Sequence, residues 1–333
     1  MKYSHLLFAL VITLIGVGCQ SAKQEKEGVQ NKIRVIFDTD TNNELDDQHA
    51  LAYLLFNQAT FKIEAITINT TSSGGNIDMQ YAEAKRVLQL CDADTLPVMK
   101  GADQSFQQIL PTINSGSYDG KDAVDFIIEQ ARKPSSEKLV VLAVGKLSNI
   151  ALALAKDPSM AERIRLVWLG SNYPEPGEHN QDNDTLAMNY LLNSNIDFEM
   201  VTVRYGKPSG TDAVSITLAE INQVMPGLGP HITNPIIGRH GGEFNCFGDY
   251  SVNLFEHYTM HSDSKSRPLF DMAAVAIVKN PTWAQVYEHP APLFINGAWV
   301  ERSNNSRKIK IWENFDRDAI INDFIVSFSP PLN

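Results

Sequence analysis

Cysteine is scarce in this chain, with three residues in 333, at Cys19, Cys91 and Cys246. Such a count builds no disulfide framework. Cys91 follows the helical-looking stretch Met79 to Leu90 and reads as a small buried hydrophobe rather than a nucleophile. Positive charge is also short, since 28 Lys and Arg stand against 39 Asp and Glu for a net charge of −11. With no basic stripe or long Lys/Arg run there is no electrostatic footprint for a phosphate backbone, and no nucleic acid polymer is expected as a partner. No paired His or Cys occurs at ligand spacing, which disfavours zinc. The apolar run Leu6 to Val17 is too short for a comfortable transmembrane helix. Internal repeats are missing, and low complexity is confined to residues 20–31. What is present is ordinary for a globular chain: 43% hydrophobic and 20% charged residues, ample for one large α/β domain.

Lys2 followed by that apolar run and then Gly18-Cys19 has the form of a targeting segment. Gly16-Val17-Gly18-Cys19 resembles the lipobox of bacterial lipoproteins, which implies cleavage after residue 18 and lipidation of Cys19. A plain signal peptide ending near a cysteine is the simpler alternative. Gln20 in place of aspartate leans the sorting towards the outer membrane. The expected organisation is a signal peptide over 1–18, a polar tether over 19–31 and one domain over 32–333. The expected location is the cell envelope, periplasmic or outer membrane, with the membrane as a partner through the lipid anchor. A homo-oligomer is left open.

Strand and helix patterns then alternate: Ile33 to Phe37, Leu45 to Leu54, Lys62 to Asn69, Ile77 to Leu90, Lys138 to Val144, Leu147 to Ala155, Ile164 to Leu169, Thr185 to Asn193 and Phe198 to Val203. This alternation predicts a single Rossmann-like α/β domain, a mainly parallel sheet flanked by helices. Further helices are expected near Ser215 to Val224, Ser251 to His261 and Met272 to Lys279, followed by a tail over Ala291 to Phe328 with strand-like runs such as Lys308 to Trp312.

The chemistry concentrates at Asp38, Asp40, Asp46 and Asp47, around one strand-to-helix turn, where ligands of open α/β sheets bind. Four carboxylates this close repel unless a cation sits among them. Helix capping accounts for one or two of them.

The pattern resembles the DxDxxxDD signature of the calcium-dependent nucleoside hydrolases of the inosine-uridine-preferring type, with two extra residues: Thr41 to Leu45 separate Asp40 from Asp46 where the family usually has three. Further segments resemble the family in order. Gly75-Asn76 matches its GN after a lengthened Thr70 to Gly74. Pro97 to Ala102 matches PVxxGA, and Gly145 to Ala151 is close to GPLTNIA. Glu178-His179-Asn180 with Asp184 matches EFNxxxDP, Asn172 lies six residues before Glu178 as a family asparagine does, and Phe270-Asp271 matches HDxxA with phenylalanine for histidine. The resemblance covers about residues 32–282. It implies a Ca²⁺ held by Asp40, Asp47, Asp271 and the Val144 carbonyl, with Asp40 as catalytic base. It implies ribose contacts from Asp46, Asn76, Asn172, Glu178 and Asn180. The implied activity is hydrolysis of a small-molecule nucleoside to free base and ribose. Histidine beside the last metal ligand is thought to serve the departing base in some members, whereas purine-specific relatives stack an aromatic residue there. Phe270 resembles the latter, which implies a purine preference, with His240, His257 or His261 as alternative acids.

Two other readings stand beside this one. Val35 to Thr41 also looks like the opening DxDx[TV] of haloacid-dehalogenase-type phosphatases, with Asp38 as nucleophile, although Gly248-Asp249 is a poor match for that family's later acids. A non-catalytic, calcium-dependent sugar- or nucleoside-binding lipoprotein is the second.

Overall fold

The computed structural model describes residues 31–260 and 265–328. The leader, Cys19, almost all of the tether and His261 lie outside the described residues. The β-branched and aromatic run Ile33 to Phe37 favours extended backbone and forms β1 (Ile33–Thr39). The other strands of its sheet are β2 (Phe61–Ile68), β3 (Val98–Lys100), β4 (Leu139–Ala143), β5 (Ile164–Ser171), β6 (Asp197–Thr202), β7 (Gln285–Pro290) and β8 (Lys308–Glu313), in the order β7-β8-β6-β5-β4-β1-β2-β3. Within this sheet, among the described residues, only the β7–β8 pair is antiparallel, so the mainly parallel sheet read from the sequence is present. From β1 the chain runs outward through β2 and β3, then returns to place β4 on the other flank of β1. That reversal opens a crevice at the C-terminal ends of β1 and β4.

The longer helices are α1 (Asp46–Phe56), α2 (Ile77–Leu90), α3 (Lys121–Arg132), α4 (Ser148–Lys156), α5 (Thr185–Leu192), α6 (Phe247–His257), α7 (Phe270–Lys279) and α8 (Arg317–Phe328). They cover both faces of the sheet. Val35 and Phe37 of β1 pack with α1, α6, α7 and α8, while Ile36 between them packs with α3, α4 and α5. A strand apolar on both sides needs both layers, because each side chain fully removed from water contributes about 1.5–3 kcal/mol.

Two expectations are corrected and a third is extended. Ser215 to Val224 is not one helix: Ser215–Thr217 pairs antiparallel with Ser266–Pro268, and Thr217 then caps the helix Leu218–Val224 through a reciprocal bond with Glu220. The β-branched Ile216 and Thr217 suit the strand, and the Thr-x-x-Glu box sets the helix start. The helix expected from Ser251 begins at Phe247 and ends at His257. The tail carries the expected strand over Lys308 to Trp312 within β8 but closes with the unforeseen helix α8. Its Ile320, Ile321, Phe324 and Phe328 bury a helical stripe against α1.

Candidate active site

β1 ends at Thr39, so Asp38 lies within the strand and Asp40 just beyond it. The two have different surroundings. Asp38 is fully buried and both its oxygens are taken: Oδ2 accepts from Thr67 Oγ1 at 2.6 Å and Asn149 Nδ2 at 2.8 Å, and Oδ1 accepts from Asn69 Nδ2 at 2.8 Å. Burial still pushes its carboxyl up to about 6. A carboxylate enclosed in this way cannot act as a phosphatase nucleophile. Asp40 is equally buried, but only its Oδ2 is engaged, by the Thr71 hydroxyl. Oδ1 has no hydrogen-bond partner. Burial raises its carboxyl to about 6, with the Asp38 charge adding to the effect.

Asp46 and Asp47 form the first turn of α1. The cap residue of that helix is Leu45, which makes no side-chain cap. Asp271 occupies the equivalent turn of α7, and ligand oxygens of Asp46, Asp47 and Asp271 all lie within 4.8 Å of one another. All three are nearly inaccessible. Burial first, then the Asp40 charge, takes Asp46 up to about 7. Burial and mutual repulsion hold Asp47 and Asp271 well above the usual carboxylate range. Lys146 favours the charged form of Asp40 and Arg239 that of Asp47, without offsetting burial and the neighbouring acids.

Val144 follows β4, and its carbonyl accepts from Asn180 Nδ2 at 2.8 Å. That amide also reaches the Leu169 carbonyl at 3.2 Å, leaving Asn180 Oδ1 buried and without a partner. Glu178 caps the short helix His179–Asn183, accepting from the Gln181 amide at 2.8 Å, and burial raises its carboxyl to about 7. Orphaned oxygens on Asp40 and Asn180 beside three further carboxylates form a donor set made of oxygen alone. That set suits a hard divalent cation, and each unsatisfied buried oxygen is costly without such a partner.

The cavity is lined by Asp46, Asp47, Asp271, Val144, Glu178 and Asn180, with Phe270 and Tyr205 forming an aromatic wall, and the fully buried Asp40 lies behind this lining. The two rings meet edge to face at 5.9 Å and 84°. Two residues expected at the sugar are elsewhere. Asn76 is exposed at the cap of α2, accepting from the Met79 amide at 3.1 Å. Asn172 bridges the Pro176 carbonyl and the Tyr205 amide at 3.0 Å each, so it braces the wall rather than lining the cavity. His240 and His257 stack on each other at 4.8 Å, and neither lines the cavity.

A family model described as inosine-uridine preferring nucleoside hydrolase matches residues 35–322. The chain belongs to that family. It is an N-glycosyl hydrolase. The "Non-specific ribonucleoside hydrolase RihC" of Salmonella enteritidis PT4 is 27% identical over 268 residues, covering 75% of this chain and 79% of that protein. The protein of that name from Klebsiella pneumoniae subsp. pneumoniae is 25% identical over 269 residues, covering 75% and 80%. Among solved structures, "Purine-Preferring Ribonucleoside Hydrolase from Gardnerella vaginalis" superposes with a TM-score of 0.70 at 19% identity over 89% of this chain and 98% of that one. "Plant nucleoside hydrolase - PpNRh1 enzyme" gives 0.70 at 17% over 90% and 100%. At such identities the structures show the shared fold.

In this nucleoside hydrolase several cavity residues escaped the sequence reading: Asn43, Glu44, Ser73, Tyr205 and Arg267. Asn43 and Glu44 lie within the lengthened acidic turn and Ser73 within the lengthened loop after β2, so the two irregular segments were themselves the signal. Tyr205 and Arg267 sit in segments with no periodicity to mark them.

Proposed function

We propose that this chain hydrolyses ribonucleosides, purines in preference, to free base and ribose with Ca²⁺ as its metal. The observation that carries the reading is the cluster of Asp46, Asp47 and Asp271 carboxylates, each feeling the charge of a buried Asp40 whose Oδ1 has no hydrogen-bond partner. Asp40, Asp47, Asp271 and the Val144 carbonyl would hold the ion, and a carbonyl that already accepts from Asn180 keeps a second lone pair for it. When bound, such an ion makes a water molecule more acidic. Asp40 accepts the proton of the attacking water, whose oxygen bonds to the anomeric carbon as the C–N bond to the base breaks. The ribosyl group passes through an oxocarbenium-like transition state, and the surrounding carboxylates stabilise its positive charge. Asp46, Glu178 and Asn180 bind the ribose hydroxyls. Phe270 stacks on the departing base, which takes its proton from solvent, and purines offer the larger face.

The lipobox-like Gly16 to Cys19 supports catalysis in the cell envelope, with residues 19–31 tethering the domain to a lipidated Cys19 after removal of residues 1–18. Release of free base and reducing sugar from a nucleoside panel, with and without a calcium chelator, tests the reading. Turnover that calcium restores supports it, and no turnover of any nucleoside contradicts it.

A further inference from the structure

The lengthened loop after β2 contributes more than a wall residue to the cavity. Its Thr71 donates its hydroxyl hydrogen to Asp40 Oδ2, and the chain is fastened on both sides of that residue. Thr70 Oγ1 donates to the Asp103 carbonyl at 2.9 Å, the Ser72 amide donates to Asn183 Oδ1 at 2.6 Å, and the Ser73 hydroxyl donates to Asn43. Asn42 Nδ2 donates to the Gly74 carbonyl at 2.7 Å. Gly74 has φ +75°, and a Cβ there would lie 2.6 Å from the Asn42 carbonyl group, so the loop packs directly on the lengthened acidic turn. Thr71 is therefore held in place by its neighbours.

A carboxylate swings freely about its terminal torsion, whose preferences are broad. Gripping one oxygen fixes the other. We propose that Thr71 is a positioning residue for Asp40, holding Oδ2 so that Oδ1 faces the water that attacks the ribose. This rests on Asp40 being the proton acceptor. A hydroxyl donor makes a carboxylate less basic, so the gain lies in orientation, which is realised in turnover and hardly in substrate binding.

Thr71→Val keeps the shape and removes the donor, and Thr71→Ser returns it. With the calcium-loaded protein and inosine as substrate, Thr71→Val should lower kcat by about tenfold or more, with KM and calorimetric calcium affinity within about threefold of wild type. Thr71→Ser should recover most of the loss. The inference is overturned if Thr71→Val keeps kcat within about twofold while Asp40→Asn is inactive. It is equally overturned if Thr71→Val loses calcium as severely as Asp47→Ala, because Thr71 would then build the ion site. Wild-type turnover by Asp40→Asn, or no nucleoside turnover by the native protein, overturns the underlying reading and this inference with it.

Discussion

Replacing Gly145 with alanine should slow the enzyme as well as destabilise it. Gly145 follows Val144 at the end of β4, and its carbonyl is pinned by Trp168 Nε1 at 3.0 Å, so its backbone has little room to retreat. A Cβ here would lie 2.9 Å from Asp40 Oδ1 and 2.6 Å from both terminal heteroatoms of Asn69, whereas ordinary contact begins at 3.4 Å. Asp40 must therefore move by about 0.5 Å and Asn69 by about 0.8 Å, the differences from that contact distance. Asn69 cannot yield freely, because its Nδ2 donates to the buried Asp38 at 2.8 Å. Overpacking of this size costs about 1–3 kcal/mol, which lowers Tm by a few degrees in a domain this large. Displacing a catalytic carboxylate by a large part of an ångström costs up to about 100-fold in rate. The assay is kcat on inosine at 25 °C with folding followed by circular dichroism. A Gly145→Ala protein that loses a few degrees of Tm yet keeps kcat within about threefold would refute the placement of Asp40 Oδ1.

Three further outcomes are expected. In chelator, Tm should fall as pH rises from 5 to 8: Asp40 at about 6 and Asp46 and Glu178 at about 7 stand above their ordinary 3.8 and 4.5, so the folded state retains protons the unfolded chain has released. Calcium should then restore more stability at pH 8 than at pH 5, since protons compete with the ion, and a Tm that climbs with pH in chelator would count against the buried acid cluster. Purine nucleosides should exceed uridine in kcat/KM, and Phe270→Ala should narrow the gap by about tenfold to a hundredfold, the worth of one base-stacking contact; uridine matching inosine in the wild type would end that reading. Cys19→Ser should shift the protein out of the membrane fraction, and retention there would exclude the lipid anchor.

The parallel sheet was legible because strands buried on both faces read as continuous β-branched runs with helices between them. Ile33 to Phe37 and Lys138 to Val144 needed nothing beyond local pattern, and both end at the site. The acids were legible for a related reason: a cluster of like charges at the end of a buried strand has few structural explanations. What sequence spacing could not supply was the path of irregular backbone. Asn76 and Asn172 occupy positions that resemble sugar-binding ones, yet one spends its side chain on the Met79 amide of α2 and the other on the Tyr205 backbone. Tyr205 reaches the cavity from a loop after β6, and Thr71 reaches Asp40 from the lengthened loop after β2. Both placements depend on long-range hydrogen bonds that no local propensity encodes. The last third was hardest because Ser215–Thr217 becomes a strand only by pairing with Ser266–Pro268, about fifty residues away.

The most direct test of the site is the initial rate of hypoxanthine release from inosine by the calcium-loaded wild type and its Asp40→Asn variant, with calcium binding to both followed by calorimetry. The expected result is release by the wild type and a loss of at least about a hundredfold in kcat for Asp40→Asn, well beyond any change in KM. Near wild-type turnover by a calcium-loaded Asp40→Asn protein would contradict the assignment of Asp40 as the group that accepts the proton of the attacking water.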